Sequence, residues 1–586
     1  MKKSIILVCF TIISIYTSAA YYVAGNGTSG NPWCDGKNWN PAGTLMTDSA
    51  GIHIAAFANV PAGYYQFKIT VGNWNTNYGY ARFSQDCSNI EGSSDGDGNI
   101  CFTTTETQNL RITFDGTNIC LTGDGNNVID TTNIGVTGVP AESEDVMLQA
   151  FYWDSYNRTK YGLTKWANLL ADTTTIRNLF TLVWFPPSAQ ADGVGYYPKK
   201  WSNQTSTWGS AANLKLLIQA LHRGGSKAVA DIVVNHRGNK SNWCDFYNED
   251  FGTFGSYQLT SEHICSGDEA FTQSGSTCYG STLRGGSDTG TNDGGCRDLD
   301  HTSEYVQEAI TAYLQWMQTE MGFDGFRYDM VKGYSGRFVS QYNVATDPYF
   351  SVGEYWDGID AIMSYLKSTK YNTMVFDFPL KYVLRDQLGK GYYTGLRNPS
   401  NSLRGRNLQK YAVTFIDNHD TFERSDSKDN QFIAYNCDIY ETANRSKVLQ
   451  ANAYILSMPG IPCVFWPHFK AFGSEISQMI YARKAAGIHS ESVVSDETAG
   501  TNFYSATITG HRGQLIVRLG SARDLTAPAG FHQVVNGDGY TLFLSDNITA
   551  TEQLPSEIGT RKRMIDGHIF IERDGQLYDA MGRRVK

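Results

Sequence analysis

The stretch "GFDGFRYDMVKG", residues 322–333, places Arg327 and Asp329 two positions apart at the end of an apolar run. In a β-strand that spacing puts both side chains on one face. A carboxylate beside a guanidinium stays ionised, the state a carboxylate nucleophile needs. "FSVGEYWD" closes a second run with Glu354 beside Tyr355 and Trp356. An apolar setting of that kind raises a carboxyl pKa and suits a proton donor. "TFIDNHD" closes a third run with His419 and Asp420, and "DIVVNHR" a fourth with Asn235 and His236. Asp329, Glu354 and Asp420 facing one ligand would supply a nucleophile, an acid and a third carboxylate. Stability alone does not call for this, because crowded like charges raise the free energy.

Such an arrangement needs strands that end at a common mouth. From Val146 onward, apolar runs recur between stretches of helical spacing: "VMLQAFYW", "FTLVWFP", "KAVADIVVNH", "GFDGFRYD", "FSVGEYW", "TMVFDF", "YAVTFIDNHD" and "GIPCVFW". Continuously apolar strands belong to parallel sheets covered on both faces. Eight alternations predict a (β/α)8 TIM barrel over residues 145–482, whose active residues collect at the C-terminal rim. Between "DIVVNHR" and "HTSEYVQ" lie about 60 residues rich in Gly, Ser, Asp and Cys. A bare loop of that length is improbable, so an inserted subdomain is expected over 238–300.

The four strand-end motifs, in this order and at these spacings, resemble the conserved regions of the alpha-amylase family of glycoside hydrolases. "VWFPPSAQ", "GYYP", "LIQALHRGGSKAVADIVVNHR", "AAGIHSES" and the Lys332-Gly333 pair resemble plant-type members. The resemblance implies Asp329 as nucleophile, Glu354 as general acid and then base, and Asp420 as stabiliser of the transition state. It implies that Arg327 orients Asp329, His236 and His419 donate to sugar hydroxyls, Tyr196 stacks beneath the ring and Lys332 reaches the leaving-group side. It also implies structural Ca2+, in one or two sites. Asn235, Asp298 and the Gly333 carbonyl would form the first. Asp288, Asn292, the Gly295 carbonyl and Asp298 would form a second, weakened by Asn292 where plant enzymes carry Asp. The expected activity is secreted endo-hydrolysis of α-1,4-glucosidic bonds in starch, glycogen and malto-oligosaccharides, with retention. Two alternatives stand beside it. One is a related α-glucan enzyme of pullulanase-like, maltogenic or transglycosylating action. The other is a surface glucan-binding protein without catalysis, against which the intact trio of carboxylates argues.

Residues 21–140 alternate short β-like runs with Gly, Asn and Thr turns and predict a β-sandwich. It partly resembles the small module of bacterial pullulanases, with Trp39, Trp74 and Tyr78 as candidate glycan-stacking rings. Residues 483–547 predict an antiparallel sheet. The tail, 555–586, resembles C-terminal sorting segments of secreted proteins. Residues 1–20 read as a cleaved secretory signal: two lysines, a short apolar run, then Ser18-Ala19-Ala20. The mature chain is then expected outside the cell or on its surface, with no membrane span, as a monomer. A net charge of −10 without a basic stripe excludes nucleic acid as a partner. Of 11 cysteines, Cys9 leaves with the signal. The rest fall in even local groups without a CxxC pair, which predicts local disulfides rather than zinc. Pairing within each group of four stays open.

Overall fold

The structure, a computed structural model, describes residues 20–27, 38–49, 52–84, 88, 90, 92–104, 107–123, 135–291, 295–423, 432–433 and 438–548. It adds backbone strands between 561 and 585. The signal segment, residues 1–19, lies outside the described residues. Two compact units result, 1–133 and 134–586.

In the second unit, the predicted eight runs close into a parallel barrel. Its strands are Met147–Gln149, Leu182–Trp184, Lys227–Ile232, Gly325–Tyr328, Phe350–Gly353, Met374–Phe376, Ala412–Phe415 and Ile461–Phe465. The first strand pairs with the last in register, Met147 opposite Cys463, which shuts the cylinder. Nearly every strand residue is buried because helices cover the outside and side chains fill the inside. Helices such as Trp166–Leu179, Ala211–His222 and Glu304–Trp316 supply that outer layer. The last one, Trp466–Ala486, runs four residues beyond the expected barrel end at 482.

The inserted segment is a set of short pairings. His236–Arg237 pairs antiparallel with Arg297–Asp298, so the insertion leaves and returns at one place. Arg237 and Glu249, both fully buried, form an ion pair at its root. Arg237 also lies over the Trp201 ring. Removing one partner of such a pair costs about 3–5 kcal/mol. Cys244 and Cys278 form a disulfide. The expectation of pairing throughout needs correction: Cys101, Cys265 and Cys463 are buried thiols. Cys463 sits mid-strand in the barrel wall, enclosed on both faces, where a small thiol packs as an apolar group. Its expected neighbour Cys437 lies outside the described residues, as do Cys34 and Cys87.

A five-stranded antiparallel sheet follows, Val493 to Ser545 in sequence. Four further strands pair between Arg561 and Val585.

The first unit is a two-sheet antiparallel sandwich. Alternation shows in the strand Ile52–Val60, where Ile54, Ala56, Ala58 and Asn59 lie more open than Ala55, Phe57 and Val60. Val23, Tyr65, Phe67, Ile69, Ile112 and Phe114 fill its core. Tyr78, half-buried, packs against Phe114 and Tyr21 at the edge of this core. Trp39 and Trp74 instead meet at the surface, centroids 6.2 Å apart and tilted by 52°.

Candidate active site

The opening motif answers to its place in the barrel. Asp324, at the entry of the fourth strand, accepts the Ala228 backbone N–H at 2.7 Å and meets His222 at 2.8 Å. It serves the bottom of the barrel. Arg327 and Asp329 share the opposite, C-terminal end.

Arg327 is buried, and three carboxylates surround its fork. Nη1 donates to Asp231 Oδ1 at 2.7 Å and Asp329 Oδ1 at 2.6 Å. Nη2 lies 2.9 Å from Glu354 Oε1. The fork is rigid and planar, so it fixes Asp329 and Glu354 as neighbours although they end different strands. The backbone assists. Met330 adopts a left-handed conformation, φ 44°, uncommon for a residue with a side chain. Its N–H donates to Glu354 Oε2 at 3.1 Å. Strain of this sort persists where surrounding contacts over-determine it.

One cation cannot neutralise this many acids. Burial pushes the Glu354 carboxyl well above the ordinary glutamate range. Arg327 works against the shift, and Asp329 and Asp420 add to it. Burial likewise raises Asp231 to about 7, again opposed by Arg327.

On the other wall, Gln149 Nε2 donates to His419 Nδ1 at 3.0 Å. The proton of His419 therefore sits on Nε2, which faces Tyr196 Oη at 2.7 Å and Asp420 Oδ2 at 3.1 Å. Tyr196 in turn donates to Asp231 Oδ2 at 3.0 Å. A relay of hydrogen bonds thus runs from the first strand to the third. The rings of Tyr196, His419 and Trp153 lie nearly parallel, within 4–7° of one another. His236 is held by its Nε2, 2.9 Å from the Tyr196 carbonyl. Lys332 reaches Asp357 at 2.7 Å and the Trp356 carbonyl at 3.4 Å.

These groups line one open cleft of about 610 Å3, with Trp153, Tyr197 and Trp356 as its aromatic walls. Asp329, Glu354, Asp420, Tyr196, His236, His419 and Lys332 all face it. The volume falls in the range of small-molecule binding clefts. Sequence reasoning missed Asp231, Gln149 and Trp184, whose Nε1 donates to Asp231 at 3.1 Å. The signal available was polarity inside an apolar run: Asp231 in "KAVADIVVNH" and Gln149 in "VMLQAF".

The predicted metal ligands come together in part. Asn235 Nδ2 stands 3.2 Å from Asp298 Oδ1. Gly333 lies so close that an added Cβ would fall 1.9 Å from Asn235 Oδ1. The loop of Asp288 packs on the same spot, with Thr291 donating to the Lys332 carbonyl at 2.8 Å. Asp288 Oδ2 is buried with no hydrogen-bond partner. Hard oxygen donors, one of them orphaned, beside a carbonyl only glycine could present fit calcium. For the second expected site, Asn292 lies outside the described residues, and Gly295 is exposed with open space around it.

A parallel barrel with an arginine-centred carboxylate cluster at its C-terminal mouth defines a hydrolase-type site of the acid-and-nucleophile class. The chain belongs to the alpha-amylase family: the family model described as alpha amylase, catalytic domain, matches residues 177–478. A probable alpha-amylase 2 of Arabidopsis thaliana is 32% identical over 440 residues, 70% of this chain and 98% of that protein. The chloroplastic alpha-amylase 3 of the same plant is 29% identical over 399 residues, 65% of this chain and 42% of its own length. Among solved structures, CldA, a cyclomaltodextrin glucanotransferase, superposes with a TM-score of 0.53 at 15% identity, over 70% of this chain and all of that one. That likeness speaks to fold.

Proposed function

We propose that this protein hydrolyses α-1,4-glucosidic bonds inside starch, glycogen and related chains, with retention. One observation carries the reading: Asp329 and Glu354 are held on the two arms of one buried guanidinium, facing a cleft that also receives Asp420. Retaining enzymes keep nucleophile and acid about 5–5.5 Å apart, a spacing that carboxylates on a shared fork can adopt.

The steps follow from the charges. Asp329, held by Arg327 Nη1, attacks the anomeric carbon and forms an ester. Glu354, kept protonated by burial, donates to the departing glycosidic oxygen. The resulting Glu354 carboxylate then takes a proton from water, which attacks the ester and frees Asp329. Asp420 binds hydroxyls of the distorted ring and offsets its developing positive charge. The protonated Nε2 of His419 steadies Asp420, and Tyr196 with its parallel neighbours offers a flat apolar wall to the sugar. Lys332 lies near the leaving-group side.

Calcium would be held by Asn235, Asp298 and the Gly333 carbonyl. Bound there, it would cross-link the insertion to the turn after the fourth strand. A chelator is expected to lower Tm by several degrees, reversed by added Ca2+, with the response lost in Asp298→Asn. An unchanged Tm in the wild type would contradict this site.

The pH profile has a defined sign. Glu354 must be protonated to act, so kcat/KM is full below its raised pKa and falls as pH climbs through it. The alkaline limb is expected well above 4.5, the ordinary value for glutamate. A limb at that ordinary value would remove Glu354 from the acid role.

Product analysis tests the substrate. Mixed malto-oligosaccharides from soluble starch, with pullulan left intact, are expected. Cleavage of pullulan or long transfer products would move the assignment to a related glucan-active enzyme. Export through residues 1–20 and glycan stacking on Trp39 and Trp74 belong to the same reading; loss of starch-granule binding in a Trp39→Ala/Trp74→Ala variant would support the latter. Among the described residues, no helix is long and apolar enough to cross a membrane.

A further inference from the structure

We infer that Glu142, His489 and His511 form a binding site for a first-row divalent transition metal, with zinc as its natural probe. Their ligand atoms lie within 4.8 Å of one another, outside the cleft. Three chain segments bring them together: the entry to the barrel, the turn after its last helix, and a hairpin of the five-stranded sheet. Backbone bonds fix those segments independently of any ion. Ser490 donates to the Ser143 carbonyl at 2.8 Å, and His511 to the Gly487 carbonyl at 3.0 Å. Glu142 donates its N–H to Glu491 Oε1 at 3.0 Å and is held with φ at 42°.

The histidine chemistry matches a metal ligand. His511 Nδ1 lies 3.0 Å from Glu144 Oε1, and Arg512 clamps that carboxylate. A carboxylate behind the imidazole fixes its tautomer, as outer partners of metal-bound histidines do. The lone pair of Nε2 is then available, 3.6 Å from Glu142 Oε2. That gap is long for a hydrogen bond. It is near the edge of a tetrahedron with bonds of about 2.0–2.1 Å, roughly 3.4 Å. His489 stacks on His511, centroids 4.1 Å apart and planes within 10°. Parallel rings aim their lone pairs along parallel lines, so uptake of an ion must tilt one of them. His511, whose side chain is 41% exposed, can turn; His489 is buried. His489 Nδ1 accepts only a long contact from the Glu491 N–H, 3.3 Å, which an ion at that nitrogen would replace.

Two imidazoles and one carboxylate favour zinc, copper or nickel over calcium. The site is therefore chemically separate from the oxygen cradle at Asn235. An ion here would tie the start and end of the barrel to the C-terminal sheet. It would raise stability without entering the reaction.

Titrating Zn2+ into the full chain, with Ca2+ saturating, tests this by calorimetry and by Tm. One equivalent of zinc should bind and raise Tm. His511→Ala and Glu142→Gln, both at exposed side chains, should weaken binding at least tenfold and abolish the Tm rise. Their zinc-free starch hydrolysis should equal that of the wild type, which shows the variants folded. Absence of zinc binding in the wild type, or equal binding in His511→Ala, would overturn the site.

Discussion

Glu354→Gln is expected to lower kcat/KM on starch by about 10²- to 10⁴-fold, the range that general acid–base catalysis supplies. The variant keeps the side-chain volume and, through its single amide oxygen, one of the two contacts to Arg327 and the Met330 N–H, so the cleft should hold its shape. What it loses is the transferable proton. The decisive feature is substrate dependence. An aryl maltoside with a strongly acidic phenol as leaving group departs without protonation. On that substrate the first step should recover most of its rate, leaving a deficit in hydrolysis of the ester. A loss of equal size on both substrates would assign Glu354 to binding instead.

Asp329→Asn should cost more, about 10⁴-fold or beyond, as loss of a nucleophile does in enzymes that act through a covalent intermediate. Here the activated leaving group should bring no recovery, because no ester can form on any substrate. The fold should survive. Arg327 keeps Asp231 and Glu354 as partners, and the amide can still accept from its Nη1. Circular dichroism and Tm near the wild type, with activity gone, are the expected pair of results. Residual activity within tenfold of the wild type would move the nucleophile elsewhere. In the wild type, a fluorinated maltosyl fluoride that forms the ester quickly and loses it slowly should add its glycosyl mass to the peptide bearing Asp329.

Much of this site could be read along the chain because barrel geometry converts sequence position into spatial position. A polar residue at the end of a buried strand must face the mouth: Asp329 and Glu354 directly follow two strands, and His419 and Asp420 follow a third, whose last residue is Phe415. Asp231 was less legible. It sits inside its strand, and its partners Arg327 and Tyr196 stand 96 and 35 positions away. Gln149 and His419 are separated by 270. Pairing of the third and fourth strands sets Asp231 opposite Arg327, and closure of the barrel brings Gln149 to His419. The αL backbone of Met330 has no signature in its residue type, since methionine is not a residue that prefers positive φ. Tyr78 shows the converse limit: aromatic type names a candidate for stacking on a ligand or on a core, and packing alone decides between them. Cysteine spacing allowed several pairings, and local barrel packing left Cys463 as a thiol.

The catalytic account rests on attack by Asp329 from the face opposite the leaving group, followed by attack of water from the first. Two inversions return the original configuration. Proton NMR of the anomeric signals during the first minutes of malto-oligosaccharide cleavage, before mutarotation, reads that outcome directly. The α-anomer is expected to appear first and decay toward equilibrium. An initial burst of β-anomer would mean a single displacement by water, and Asp329 would lose its role as the atom that bonds to sugar.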